Sequence, residues 1–179
     1  LFIGISLLFL KRWLKRWLKM FKMKLVMCDK FLNKSECKRL INFYNLQPKP
    51  NRFDTTFPLS ITQIAPQFLK DKINQLGMSI NNSVIDWFEI VKWPSPNPGK
   101  NLHFDNASAL TTLSSIIYLN DNYEGGNTYF KDGTTFAPVT GRAIFFDGKY
   151  YKHGVSAVSK SPRYTIATWL TRPSGGSGN

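Results

Sequence analysis

The sequence predicts a mostly β domain, an antiparallel sandwich or barrel with helices confined to its N-terminal side. Three observations carry that expectation. From residue 84 onward, short runs rich in β-branched and aromatic residues follow one another with no helical periodicity between them. Turn-forming clusters separate the runs: PSPNPG, NDNYEGG, KDG and DGK. The chain has 179 residues, 42% of them hydrophobic and 15% aromatic, which suits one domain with a true core.

Residues 1–23 form an extension of their own, apolar and then basic. The first ten are apolar but too few to span a bilayer. On a helix, Trp13, Leu14, Trp17, Leu18 and Phe21 share one face, while Lys11, Arg12, Lys15, Arg16, Lys19 and Lys22 crowd the other. That is the pattern of a helix lying in a membrane interface. Met20, Met23 and Met27 precede the first domain element, so the extension reads equally as sequence foreign to the native domain. Any membrane contact is expected through residues 1–23 alone.

The domain proper is expected over 24–172, followed by a flexible tail over 173–179 (PSGGSGN in its last seven residues). An edge strand is predicted within KLVMCDKFL. A helix then starts at Asn33, with Glu36 at the capping-box position and Cys37, Leu40, Ile41 and Tyr44 at helical spacing. Residues 47–63 read as loop with room for one short strand. Pro66 opens a second helix whose apolar face holds Leu69, Ile73, Leu76 and Ile80, and Gly77 weakens its end. Strands are expected at 85–93, 110–119, 128–130, 142–147, 155–158 and 163–171.

Charge excludes less than it first seems to. The net charge is +13, yet residues 1–24 hold seven Lys or Arg and no acid, and the rest holds 17 basic and 11 acidic groups. The body is only mildly basic, so nucleic acid is not the expected partner. Cys28 and Cys37 lack Cys-x-x-Cys spacing and do not make a disulfide framework, which points to a reducing, cytoplasmic setting.

The chain has two histidines, and both fall into one pattern. His103 and Asp105 form a His-x-Asp pair whose side chains point the same way on an extended strand. His153 follows on a later predicted strand. Two imidazoles and one carboxylate on one face of a metal leave its opposite face open, the arrangement that non-haem iron(II) oxygenases use. Arg163 begins the run RYTIATWLT, where alternation places Arg163, Thr165, Ala167 and Trp169 on one face. A guanidinium among small residues and a tryptophan is suited to binding a carboxylate through two parallel hydrogen bonds.

These pieces resemble the catalytic domain of prolyl 4-hydroxylases and related iron(II)- and 2-oxoglutarate-dependent dioxygenases. The matching segments are HFD (103–105), SSIIYLNDNYEGGNTYF (114–130), PVTGRAIFFD (138–147) and HGVSAVSKSPRYTIATWL (153–170). Upstream, FLNKSECKRLINFYN (31–45) is similar to the family's entry helix. The resemblance implies a double-stranded β-helix, or jelly roll, backed by N-terminal helices. It implies Fe(2+) held by His103, Asp105 and His153, and Arg163 paired with the distal carboxylate of 2-oxoglutarate. Thr128 and Trp169 match positions lining the co-substrate pocket. Trp93, the aromatic nearest the tyrosine that the family carries before the His-x-Asp strand, and Tyr118 complete that candidate set. O2 as oxidant and L-ascorbate as reductant of oxidised iron are implied as well.

The implied reaction is hydroxylation of an unactivated C–H bond, with succinate and CO2 as co-products and a peptidyl proline or a small molecule as substrate. Where some peptide hydroxylases carry an arginine seven residues before the YLN tyrosine, this chain has Thr111. A nucleic-acid demethylase of the same fold would carry a second arginine six residues after the first, where Trp169 stands. A non-catalytic jelly-roll binding module is the other alternative, and the complete set of ligands speaks against it.

Overall fold

The computed structural model describes residues 25–105 and 110–173. Among these, β1 (Val26–Cys28) leads into α1 (Lys34–Leu46), β2 (Phe57–Ser60) and α2 (Gln67–Asn81). Ten further strands follow: β3 (Val84–Trp93), β4 (Lys100–His103), β5 (Thr111–Tyr118), β6 (Glu124–Gly125), β7 (Thr128–Phe130), β8 (Thr135–Phe136), β9 (Ala143–Phe146), β10 (His153–Val155), β11 (Val158–Ser159) and β12 (Arg163–Thr171). The basic extension 1–24 and the tail from 174 lie outside the described residues. Among the described residues no helix is long and apolar enough to cross a membrane.

The strands form a six-stranded sheet in the order β1-β9-β5-β12-β3-β2 and a four-stranded sheet in the order β4-β10-β7-β8, with β11-β6 as a small ribbon. Every pairing is antiparallel. The two larger sheets enclose a jelly-roll interior, and the helices cover the outer face of the large sheet. The double-stranded β-helix with supporting helices expected from the sequence is therefore the fold found.

The large sheet is buried on both faces, which explains why its strands read as nearly continuous apolar runs. Phe88 and Ile90 of β3, Ala143 and Phe145 of β9, and Tyr164, Ile166 and Leu170 of β12 pack with Cys37, Leu40 and Tyr44 of α1 and Leu69 and Ile73 of α2. The alternate residues face the interior. Tyr118, Ile144 and Phe146 meet Phe130 of the small sheet there, and Val91 and Trp93 meet Val155 and Val158.

Local chemistry holds the helices where the sequence placed them. Asn33 Oδ1 accepts the Glu36 N–H at 2.9 Å, and Glu36 accepts the Asn33 N–H at 2.8 Å, a complete capping box. Pro66 stands at the cap of α2. Gly77 has a packing reason beyond low propensity: a Cβ there would lie 2.6 Å from the Ser83 carbonyl oxygen and 2.5 Å from Leu170 Cδ2.

Two expectations are corrected. The strand predicted at 155–158 is two strands, β10 and β11, because Ser156 and Ala157 leave the ladder to contact the 125–127 turn through Ser156 Oγ to Asn127 N–H and Ala157 O to Gly126 N–H. The His-x-Asp pair is not all strand: β4 ends at His103, and Asp105 lies beyond it, tied by its N–H to the Gly148 carbonyl at 2.9 Å.

Candidate active site

His103 and His153 are register partners across the antiparallel β4–β10 pair, so pairing alone brings their rings to a centroid distance of 4.4 Å. Asp105 reaches both: its Oδ1 lies 3.8 Å from His103 Nε2 and 3.7 Å from His153 Nε2. One donor atom from each of the three lies within 4.8 Å of the others, and no other such group occurs among the described residues. Converging imidazole and carboxylate donors at this spacing suit a divalent transition metal.

The shell behind these residues orients them. His103 Nδ1 lies 2.9 Å from the Asn101 carbonyl and His153 Nδ1 3.2 Å from the Tyr151 carbonyl. A backbone oxygen at Nδ1 calls for N–H there and leaves the Nε2 lone pair free for a metal. His153 sits edge-on to Phe146 at 4.6 Å. Burial pushes its pKa below the ordinary value, while Asp105 pulls the other way. The neutral imidazole that a metal requires is therefore the favoured form. Gly148 leaves room for the carboxylate, since a Cβ there would lie 2.7 Å from Asp105 Cβ.

Arg163 occupies the deep end of the same cavity and is 1% exposed. Its guanidinium carbon lies 4.9 Å from the Trp93 ring and 5.3 Å from the Tyr118 ring. Nε donates to the Gly126 carbonyl at 3.2 Å and Nη1 to Thr165 Oγ1 at 3.3 Å, while Nη2 has no hydrogen-bond partner of good geometry among the described residues, with the buried Tyr123 hydroxyl as a polar neighbour of the guanidinium. A buried guanidinium with an idle donor is costly unless a ligand completes it, and a carboxylate does so best. Gly126, at φ 64°, passes so close that a Cβ would lie 2.9 Å from Arg163 Cδ.

The cavity measures about 490 Å³, within the range of small-ligand sites. His103, Asp105, His153, Arg163, Trp93 and Trp169 all line it. Tyr118 and Thr128 do not: the Tyr118 hydroxyl donates to Thr128 Oγ1 at 2.7 Å, and both are fully buried, with the Tyr118 ring against the guanidinium. The indole N–H groups of Trp93 and Trp169 also lack partners among the described residues. Sequence reasoning missed Glu89, Lys100 and the Trp87 ring, which stacks on Trp169 at 4.6 Å. Alternation along VIDWFEIVKW was the available signal, because Trp87, Glu89, Val91 and Trp93 share the face whose last member was already a candidate.

The fit to iron and a dicarboxylate rests on these side chains: three donors with free atoms turned together, and an idle guanidinium nitrogen in one cavity with them. Comparison with known proteins agrees. Residues 92–171 match the model of the 2OG-Fe(II) oxygenase superfamily. Prolyl 3-hydroxylase 1 of Rattus norvegicus is 43% identical over 65 residues, 32% of this chain and 9% of that protein. The aligned part thus spans under a tenth of the length of that relative. Among solved structures, the viral collagen prolyl hydroxylase of Paramecium Bursaria Chlorella virus-1, in its 2OG complex, superposes with a TM-score of 0.68 at 20% identity, covering 83% of this chain and 96% of that one. The Trichoplax adhaerens prolyl hydroxylase, in complex with a hypoxia inducible factor oxygen degradation domain peptide fragment, gives 0.69 at 17% identity, covering 94% of each. The two structural likenesses show a shared fold.

Proposed function

We propose that this chain, whose residues 92–171 match the model of the 2OG-Fe(II) oxygenase superfamily, is a prolyl hydroxylase-like dioxygenase that hydroxylates an unactivated C–H bond, a peptidyl proline or a related group being the substrate. The observation that supports this reading most is the meeting of three metal-type donors and the idle Arg163 Nη2 in one cavity.

In this reading His103, Asp105 and His153 hold iron(II), and Arg163 grips the distal carboxylate of 2-oxoglutarate. When bound, iron(II), 2-oxoglutarate and O2 supply the oxidising power that replaces C–H by C–OH, with succinate and CO2 as co-products. The protein supplies placement and dryness. The carbonyls of Asn101 and Tyr151 fix both rings. Phe130, Phe146 and Trp93 are each under a tenth exposed and keep water from the closed end. The open, aromatic mouth, with Phe53, Trp87 and Phe104 more than a third exposed, receives the substrate. Ascorbate would be the external reductant that keeps iron held by these residues in the ferrous state. A peptide substrate is supported by the peptide-bound Trichoplax relative.

The test is release of succinate from 2-oxoglutarate by the iron-loaded chain, with and without a proline peptide. His153→Ala should lower metal-dependent release at least about a thousandfold and retain the native circular-dichroism spectrum, since loss of a metal ligand removes the chemistry and not the core. Full turnover in that variant would remove His153 from the ligand set.

A further inference from the structure

Beyond the metal-type donors and Arg163, the cavity wall carries polar groups that find no partner among the described residues: the indole N–H groups of Trp93 and Trp169, the hydroxyls of Ser115 and Thr168, and an acid, Glu89. Glu89 lies on the interior face of β3, between Trp87 and Val91, and lines the cavity. It makes no hydrogen bond or ion pair with any described residue, although Lys100 lines the same cavity. Burial pushes its carboxyl up to about 7, with Lys100 pulling the other way. Half-buried beside indole and aliphatic surface, the carboxyl is less well solvated there than on an open surface and is held by no side-chain partner among the described residues.

Its position along the wall identifies what it meets. The β3–β12 register pairs Trp93 with Arg163, Val91 with Thr165, Glu89 with Ala167 and Trp87 with Trp169. Glu89 is therefore four residues toward the mouth from the level of Arg163, or about 13 Å along the strand. A five-carbon dicarboxylate anchored at Arg163 is used up before that level. Opposite Glu89 stands Ala167, the smallest side chain of this ladder, which leaves open space beside the carboxyl. Beyond it the stacked pair Trp87 and Trp169 forms the next wall. Asp54 adds a second acid at the mouth, and Lys100 is the single lysine among the lining residues.

We propose that Glu89 is a specificity-determining residue: it receives an ammonium or guanidinium group of the substrate, beside the carbon to be oxidised, with the Trp87–Trp169 pair as the aromatic flank of that cation. A carboxylate next to indole faces is a strong cation receptor, because both attract positive charge once water is displaced. This deepens the oxygenase reading and rests on it for the fate of the substrate. Binding at Glu89 can be read without turnover.

The experiment uses the full chain and three matched peptides that carry lysine, glutamine or glutamate next to one proline. Binding is followed by quenching of tryptophan fluorescence, and turnover by succinate release with iron(II) and 2-oxoglutarate. The lysine peptide should bind about tenfold more tightly than the glutamine peptide and more tightly still than the glutamate peptide, as expected for one desolvated charge pair. Glu89→Gln should erase the lysine–glutamine difference, and Glu89→Lys should reverse the lysine–glutamate order, which guards against a simple folding defect. Equal binding of all three peptides by the parent chain, or an unchanged preference in Glu89→Gln, overturns the proposal. A cation preference that depends on Glu89 without any succinate release would instead overturn the oxygenase reading and leave the cation site standing.

Discussion

At the scale of single residues, the site is defined by what each group lacks. His103 and His153 spend Nδ1 on backbone carbonyls and keep Nε2 free. Arg163 spends Nε and Nη1 and keeps Nη2. Removing the guanidinium should act on the co-substrate before the chemistry. Arg163→Ala is expected to raise the 2-oxoglutarate KM roughly a hundredfold, about 3 kcal/mol for a buried charge pair left half made, with a much smaller effect on kcat. Arg163→Lys keeps the charge but not the planar fork, so its KM should fall between the two. Steady-state succinate release against 2-oxoglutarate concentration separates the cases. An unchanged KM in Arg163→Ala would place the distal carboxylate elsewhere.

At the scale of elements, Gly77 sets two effects in opposition. Alanine in a helix is favoured over glycine by about 1 kcal/mol. A Cβ at Gly77, however, would press on the Ser83 carbonyl, which belongs to the backbone leading into β3 and cannot step aside as a side chain does. The clash should win, and Gly77→Ala is expected to lose about 1–3 kcal/mol in urea denaturation, in spite of its better propensity. The same contrast explains what the sequence made legible. Long elements with strong periodicity, such as α1 with its capping box and β12 with its alternation, could be placed to within a residue or two. β6 and β8 have two residues each and exist through pairing with β11 and β7, which no local pattern encodes. His103 and His153 were legible as candidates because the chain has only two histidines, and Asp105 and Arg163 because of their spacing from them. Glu89 was not singled out, because β3 also carries Asp86 and Lys92, and one acid among such charged positions reads as an exposed one until the strand's faces are assigned.

At the scale of the whole molecule, the metal-type donors and the guanidinium belong to different sheets. His103 and His153 stand on the small sheet, in β4 and β10, while Arg163 stands on the large one, in β12. A ligand that touches both clamps the sandwich across its cavity, whereas a metal alone braces one side of it. Thermal unfolding should register this as non-additivity. With Mn(II) as a redox-silent substitute for iron, metal alone should raise Tm modestly, and 2-oxoglutarate alone should leave it almost unchanged. The two together at about a hundred times Kd should add about 2.7 kcal/mol, or roughly 5–10 °C for a chain of this size. A chelator should abolish the 2-oxoglutarate contribution, and so should Arg163→Ala, which leaves the three donors in place. If the two shifts merely add, or if 2-oxoglutarate stabilises the chelated protein equally well, then the donors and Arg163 do not hold one ligand between them.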